Sequence, residues 1–180
     1  KTARLEKRKS QIGEKMILIA LGSNLKSVAY GGPLKNCHKA LEFLEKRFQL
    51  EKISNFYETE PIPKSNQEMY VNGVVSVKTN FLPKKILSEL MNIEKFFKRV
   101  RHLKNESRVI DLDLLCYNEI ILKDKHLQLP HPRMHLRRFV MQPLCDINKE
   151  WVHPLLNEKA KNILKKLANQ KIYNISGING

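Results

Sequence analysis

A chain of 180 residues that is 42% hydrophobic can fold around one substantial core. It holds no apolar run near the ~20 residues of a membrane span, and no charged start followed by an apolar segment marks secretion. The net charge of +15 favours a polyanionic partner, either nucleic acid or a small phosphorylated ligand, while three scattered cysteines give neither a zinc-knuckle nor a disulfide pattern and fit a reducing cytoplasm.

Residues 1–15 are basic and polar without apolar periodicity; they read as a flexible extension, and residues 16–180 as one domain. Residues 16–21 form a short buried strand, which Gly22, Ser23 and Asn24 end in a turn. Pro33 opens a helix with Leu34, Cys37, Leu41, Leu44 and Phe48 on its inner stripe, and His38, one turn from Leu34 and Leu41, is structural. Residues 50–59 form a second strand with Ile53, Asn55 and Tyr57 on one face, and the prolines at 61 and 63 make residues 60–66 a loop. Residues 69–79 form a third strand in which Asn72 interrupts an apolar run; a buried amide needs partners, so it is either a satisfied structural group or a ligand reader.

Pro83 opens a second helix, with Ile86, Leu90, Ile93 and Phe97 inward and Glu94 at the stripe's edge. Residues 109–117 form a further strand, followed by a turn at Asn118 and a strand over residues 120–122. His131 and His135 are four apart, but Pro132 between them argues against a helical metal pair. Trp151 falls in a polar turn. The last helix takes Asn157 as its N-cap and turns Ala160, Ile163, Leu164 and Leu167 inward.

The order through residue 117 is βαββαβ, an α+β arrangement of the ferredoxin-like split type with further C-terminal elements. Two helices then cover one sheet face and leave the other for added elements or ligand. On the strand over residues 109–117, Ile110, Leu112 and Leu114 share one face, and Asp111 and Asp113 share the other. Adjacent carboxylates repel, so a positive group belongs between them. Either they are solvated and paired with lysines, or they hold a hard divalent cation carrying a nucleotide's phosphates. Arg99, Arg101 and Arg108 just upstream favour the second.

The ordered motifs Ile19-Ala20-Leu21-Gly22-Ser23-Asn24-Leu25, Phe56-Tyr57-Glu58-Thr59-Glu60-Pro61, Tyr70-Val71-Asn72, Ile93-Glu94, Arg99-x-Arg101, Arg108-x-Ile110-Asp111-Leu112-Asp113-Leu114 and Pro130-His131-Pro132-Arg133-Met134-His135-x-Arg137-x-Phe139-Val140 are similar to those of the 6-hydroxymethyl-7,8-dihydropterin pyrophosphokinases of folate biosynthesis. The resemblance covers about residues 16–154. It implies transfer of pyrophosphate from ATP to a reduced pterin alcohol with release of AMP. By resemblance, Asp111 and Asp113 hold two magnesium ions, and Arg99, Arg101 and Arg108 act on the phosphates. Glu94, His131 and Arg137 bind ATP. Thr59, Pro61, Ile62, Tyr70, Asn72 and Phe139 bind the pterin, with Asn72 reading its edge and Tyr70 and Phe139 enclosing the ring.

The sequence departs from that pattern in two places. Family members often carry a Trp and a Pro before the residue matching Arg108, where this chain reads Lys104-Asn105-Glu106-Ser107, and Leu136 replaces a commonly acidic residue. Residues 99–107 combine bases with little apolar material and are expected to act as a lid that orders over the triphosphate. A basic nucleic-acid-binding module is the competing class, but it needs exposed aromatics on central strands, where the third strand offers only Tyr70. The expected partners are therefore ATP and the pterin, with no membrane and no nucleic acid, on a cytoplasmic monomer.

Overall fold

The structure is a computed structural model that describes residues 14–27, 29–60, 64, 66, 68–97 and 109–176. The basic extension is thus almost wholly outside the described residues. So are Pro61, Ile62, Arg99, Arg101, Arg108 and the expected lid.

The central sheet forms around β1 (Ile17–Ser23), whose every second side chain enters one of two cores. β1 lies between β4 (Tyr70–Lys78) and β5 (Asp111–Tyr117), antiparallel to both. The far edge of β4 pairs with β2 (Gln49–Ile53) and β3 (Tyr57–Thr59), and β8 (Tyr173–Asn174) pairs with β3. β6 (Leu122–Lys123) and β7 (Gln128–Leu129) form a separate hairpin. The strand order is β5-β1-β4-β3-β8, with β2 beside β4. All these pairings are antiparallel, and among the described residues four α-helices complete a mixed α/β arrangement.

Helices α1 (Pro33–Glu45) and α2 (Pro83–Phe96) each carry proline in the first turn, where its missing N–H costs nothing. Their stripes, Cys37, Leu41 and Leu44 with Ile86, Leu90 and Ile93, pack on Ile19, Leu21, Val75, Leu112 and Leu114 of the sheet as expected. The opposite face carries a second core of Leu18, Val74, Leu115, Cys116, Val140, Met141 and Leu144, covered by α3 (Arg138–Asn148) and α4 (Ala160–Lys165). A register shift opposite Leu18 and Ile19 leaves Leu115 as an extra residue in β5. Leu114 therefore faces the first core while Leu115 and Cys116 both join the second.

Several sequence expectations are corrected. Gly22 and Ser23 do not end β1 in a turn; they continue it, with Gly22 paired to Asn72 and Asp111. The single strand over residues 50–59 is broken at residues 54–56. There the Ser54 amide donates to the Val74 carbonyl at 2.9 Å, and the Ser54 hydroxyl accepts from the Val74 amide at 2.9 Å. Of the face assigned to Ile53, Asn55 and Tyr57, only Tyr57 is buried. The short strand after Asn118 lies at Leu122–Lys123 rather than residues 120–122. Trp151 is buried at 2% exposure, because the turn that carries it folds onto the second core. Asn157 is not a cap: it adopts φ 54°, and Lys159 occupies the N-cap position. Helix α3 was not foreseen. Val140, Met141, Leu144 and Ile147 give the periodicity, but Pro143 within it reads as a breaker. Here the ring is buried, and its packing offsets the lost backbone bond.

Candidate active site

Directly opposed residues in an antiparallel sheet share a face. Tyr57 of β3 opposes Asn72 of β4, Asn72 opposes Gly22 of β1, and Gly22 opposes Asp111 of β5. One step along, Val74, Ala20 and Asp113 form the next row. Asp111 and Asp113 therefore stand on the face away from α1 and α2, each partly exposed, beside the two smallest residues of β1. That is the two-carboxylate face expected from alternation. The same face carries Thr59 and Tyr70, opposed to each other at the mouth of β3 and β4.

Asn72 is buried, and its Nδ2 donates to Thr59 Oγ1 at 2.9 Å. A Cβ on Gly22 would lie 3.3 Å from Asn72 Oδ1, so the glycine lets the amide oxygen reach the sheet floor. Glu94 is not at the stripe's edge; it is 5% exposed, and its Oε1 accepts the Leu112 amide at 3.4 Å. Among the described residues β5 ends the sheet, and this carboxylate answers an outward N–H between the two aspartates.

The cis Leu129–Pro130 bond precedes His131, whose amide donates to the Leu115 carbonyl at 2.7 Å. Its Nδ1 accepts the Arg133 amide at 3.2 Å. Burial pushes the His131 imidazole down to about 4, aided by the charges of Arg137 and Arg133 and opposed by that of Asp111. His131, Arg133, Arg137 and Asp111 thus share one electrostatic neighbourhood. A short 3-10 turn (Met134–Leu136) then leads into α3, where the Arg137 guanidinium lies 5.5 Å from the centre of the Phe139 ring.

His135 does not join His131. Its ring meets His153 edge-to-face at 5.5 Å, and His153 packs on Trp151. His38 is exposed and lies edge-on to Phe56 at 5.3 Å. The structure thus brings Thr59, Tyr70, Asn72, Asp111 and Asp113 onto one face, and puts His131 within electrostatic reach of both Asp111 and Arg137. Sequence reasoning passed over Gly22 as part of the floor, and Arg133 beside His131. The register supplies the first; no spacing signal supplied the second.

A buried amide, two neighbouring carboxylates, guanidinium groups and an aromatic ring thus gather on and beside one face of the sheet. The family described as 7,8-dihydro-6-hydroxymethylpterin-pyrophosphokinase (HPPK) matches residues 18–149. The chain belongs to that family, whose members are pyrophosphokinases of folate synthesis and so transferases.

The chain is 34% identical to the 2-amino-4-hydroxy-6-hydroxymethyldihydropteridine pyrophosphokinase of Haemophilus influenzae, over 88% of this chain and 96% of that protein. It is 34% identical to the folic acid synthesis protein FOL1 of Dictyostelium discoideum over 92% of this chain, yet spans only 25% of that longer relative. Among solved structures it is similar to HPPK-DHPS of Plasmodium falciparum, with a TM-score of 0.65 at 18% identity, covering 86% of this chain and 46% of that one. That likeness concerns the fold. Among the described residues, no helix is long and apolar enough to cross a membrane.

Proposed function

We propose that this chain transfers pyrophosphate from ATP to the hydroxymethyl group of 6-hydroxymethyl-7,8-dihydropterin and releases AMP. The observation that carries the reading is the row Asn72–Gly22–Asp111, in which a buried amide and a carboxylate flank a residue without a side chain. Asn72 and Thr59 present polar atoms to the edge of a flat heterocycle, with Tyr70 and Phe139 enclosing it; Pro61 and Ile62 are assigned to the pterin from their motif positions in the sequence. Glu94, His131 and Arg137 take the nucleotide. A neutral imidazole at His131 offers a hydrogen bond without adding charge.

Asp111 and Asp113 offer hard oxygen donors two residues apart on one face, a donor set suited to two magnesium ions. Bound magnesium supplies charge neutralisation across the triphosphate. The chain's own groups hold the hydroxyl in line with the β-phosphorus. The new O–P bond forms there, the bond to the α-phosphate oxygen breaks, and AMP leaves with that electron pair. Arg99, Arg101 and Arg108 are assigned to the phosphates from their motif positions in the sequence.

The strand order β5-β1-β4 followed by β2 and β3 supports a ferredoxin-like βαββαβ core. Residues 16–180 are read as one catalytic domain and residues 1–15 as a basic extension, on a cytoplasmic monomer. The test is incubation with ATP, magnesium and the reduced pterin alcohol. AMP and the pterin diphosphate are expected; ADP in place of AMP would overturn the assigned reaction.

A further inference from the structure

Three polar residues, Ser23, Asn24 and Asn36, are fully buried where β1 ends against α1. Asn36 lies on the inner side of α1 among Cys37, Ala40 and Leu41, where an apolar residue would serve packing. Its orientation is fixed by its partners. Nδ2 donates to the Leu25 carbonyl at 2.8 Å and to Ser23 Oγ at 3.3 Å, and Oδ1 accepts from Ser27 Oγ at 2.7 Å. Flipping the amide would set an oxygen against the Leu25 carbonyl. Ser27 Oγ is held in turn by the Tyr30 amide at 2.8 Å.

Because Ser23 Oγ receives the Asn36 amide, its own proton points elsewhere, and it donates to the Val109 carbonyl at 2.5 Å. Asn36 Nδ2 approaches the same carbonyl at 3.4 Å. Val109 lies two residues before Asp111, the first residue of β5, and outside the ladder that pairs β5 with β1 among the described residues. The paired ladder between β1 and β5 stops at Gly22 and Asp111. Ser23, one residue further along β1, extends the pairing through its side chain and clamps the chain two residues before Asp111.

We infer that Ser23 and Asn36 are positioning residues for the Asp111 carboxylate, setting where β5 begins and hence where its first acidic oxygens stand. The inference rests on the reading of Asp111 as a metal-holding group. Its physical basis is leverage. A strand end released from its last anchor frays, and misplacement of a reacting group by about 1 Å costs on the order of 100-fold in rate.

The test measures Mn²⁺, a spectroscopic stand-in for magnesium, binding to the full chain with a non-hydrolysable ATP analogue by electron paramagnetic resonance. Ser23→Ala is expected to weaken Mn²⁺ at least fivefold while affinity for the pterin stays within twofold. Ser27→Ala, at a partly exposed position, loosens Asn36 without opening the core and is expected to weaken Mn²⁺ about threefold; it decides the matter by itself if Ser23→Ala does not fold. Unchanged Mn²⁺ affinity in a folded variant, with only a lowered melting temperature, would overturn the inference and leave a packing hub. Asp111→Asn separates the two readings. Loss of Mn²⁺ there with full retention in Ser23→Ala overturns the positioning role alone, and retention in both overturns the metal assignment with it.

Discussion

Asn72 and Asp111 stand on either side of Gly22 in one row of the sheet, and the amide oxygen of Asn72 lies 3.3 Å from where a Gly22 Cβ would be. Gly22 has no left-handed backbone, so alanine is tolerated conformationally, and only the new methyl matters. Gly22→Ala should push the Asn72 amide and strain its bond to Thr59. Pterin affinity is expected to fall about tenfold, with stability lowered by about 1 kcal/mol. Calorimetry of pterin binding beside a urea melt measures both, and equal binding by the variant would remove Gly22 from the site floor.

The carboxylate pair gives the sharpest kinetic expectation. Asp111→Asn or Asp113→Asn keeps shape and removes charge, so the fold should persist. Turnover should lose about 2–4 kcal/mol of transition-state stabilisation, the scale of one preorganised electrostatic group. Steady-state rates at saturating magnesium check this, and near-full turnover by either variant would end the metal-holding assignment.

Acid should destabilise the fold through two histidines. Burial pushes His131 and His153 each down to about 4 from 6.5; Arg137 and Arg133 add to the effect at His131, and His135 at His153. His153 Nδ1 already accepts the Leu155 and Leu156 amides at 3.2 Å, so it cannot take a proton without breaking that turn. Between pH 6.5 and 4 the unfolded chain binds protons that the folded chain refuses. The contribution of these two groups is therefore full above about pH 6.5, falls as pH drops toward 4, and levels off below. The loss is at most a few kcal/mol after allowance for residual solvent. Denaturant titrations across that window measure it, and His153→Gln should make the slope shallower. A flat profile would mean that both imidazoles are protonated within the fold.

Trp151 tests the second core. At 2% exposure it packs with Met134, Val140 and Ile163 under the turn that carries His153. Trp151→Ala should cost about 3–5 kcal/mol of stability. Thermal unfolding checks it. A loss under 1 kcal/mol would show that the α3 and α4 layer is dispensable to the sheet.

Elements whose pattern is local were legible in the chain. Pro33 and Pro83 marked helix starts, the stripes of α1 and α2 gave their inner faces, and strict alternation put Asp111 and Asp113 together on one side of β5. The ordered motifs gave the family. Those features depend on periodicity and on residue chemistry, which a sequence carries directly.

What the sequence left open was decided between segments distant in the chain. Gly22 and Ser23 carry a turn's composition, yet pairing with Asn72 and Asp111 on both sides holds them extended, because ladder bonds outweigh a local preference. Glu94 looked like a stripe-edge residue until β5 presented an unpaired amide to it. Pro143 disguised a helix that only burial against the sheet stabilises, and Trp151 left its polar neighbours for a core that exists only once α3 has docked. Asn36 is the plainest case. Helical spacing places it inward as a misfit, and its partners at Leu25 and Val109 come within reach only when β1, α1 and the start of β5 are assembled. A buried amide is stable only with its hydrogen bonds made, and those are supplied by tertiary structure.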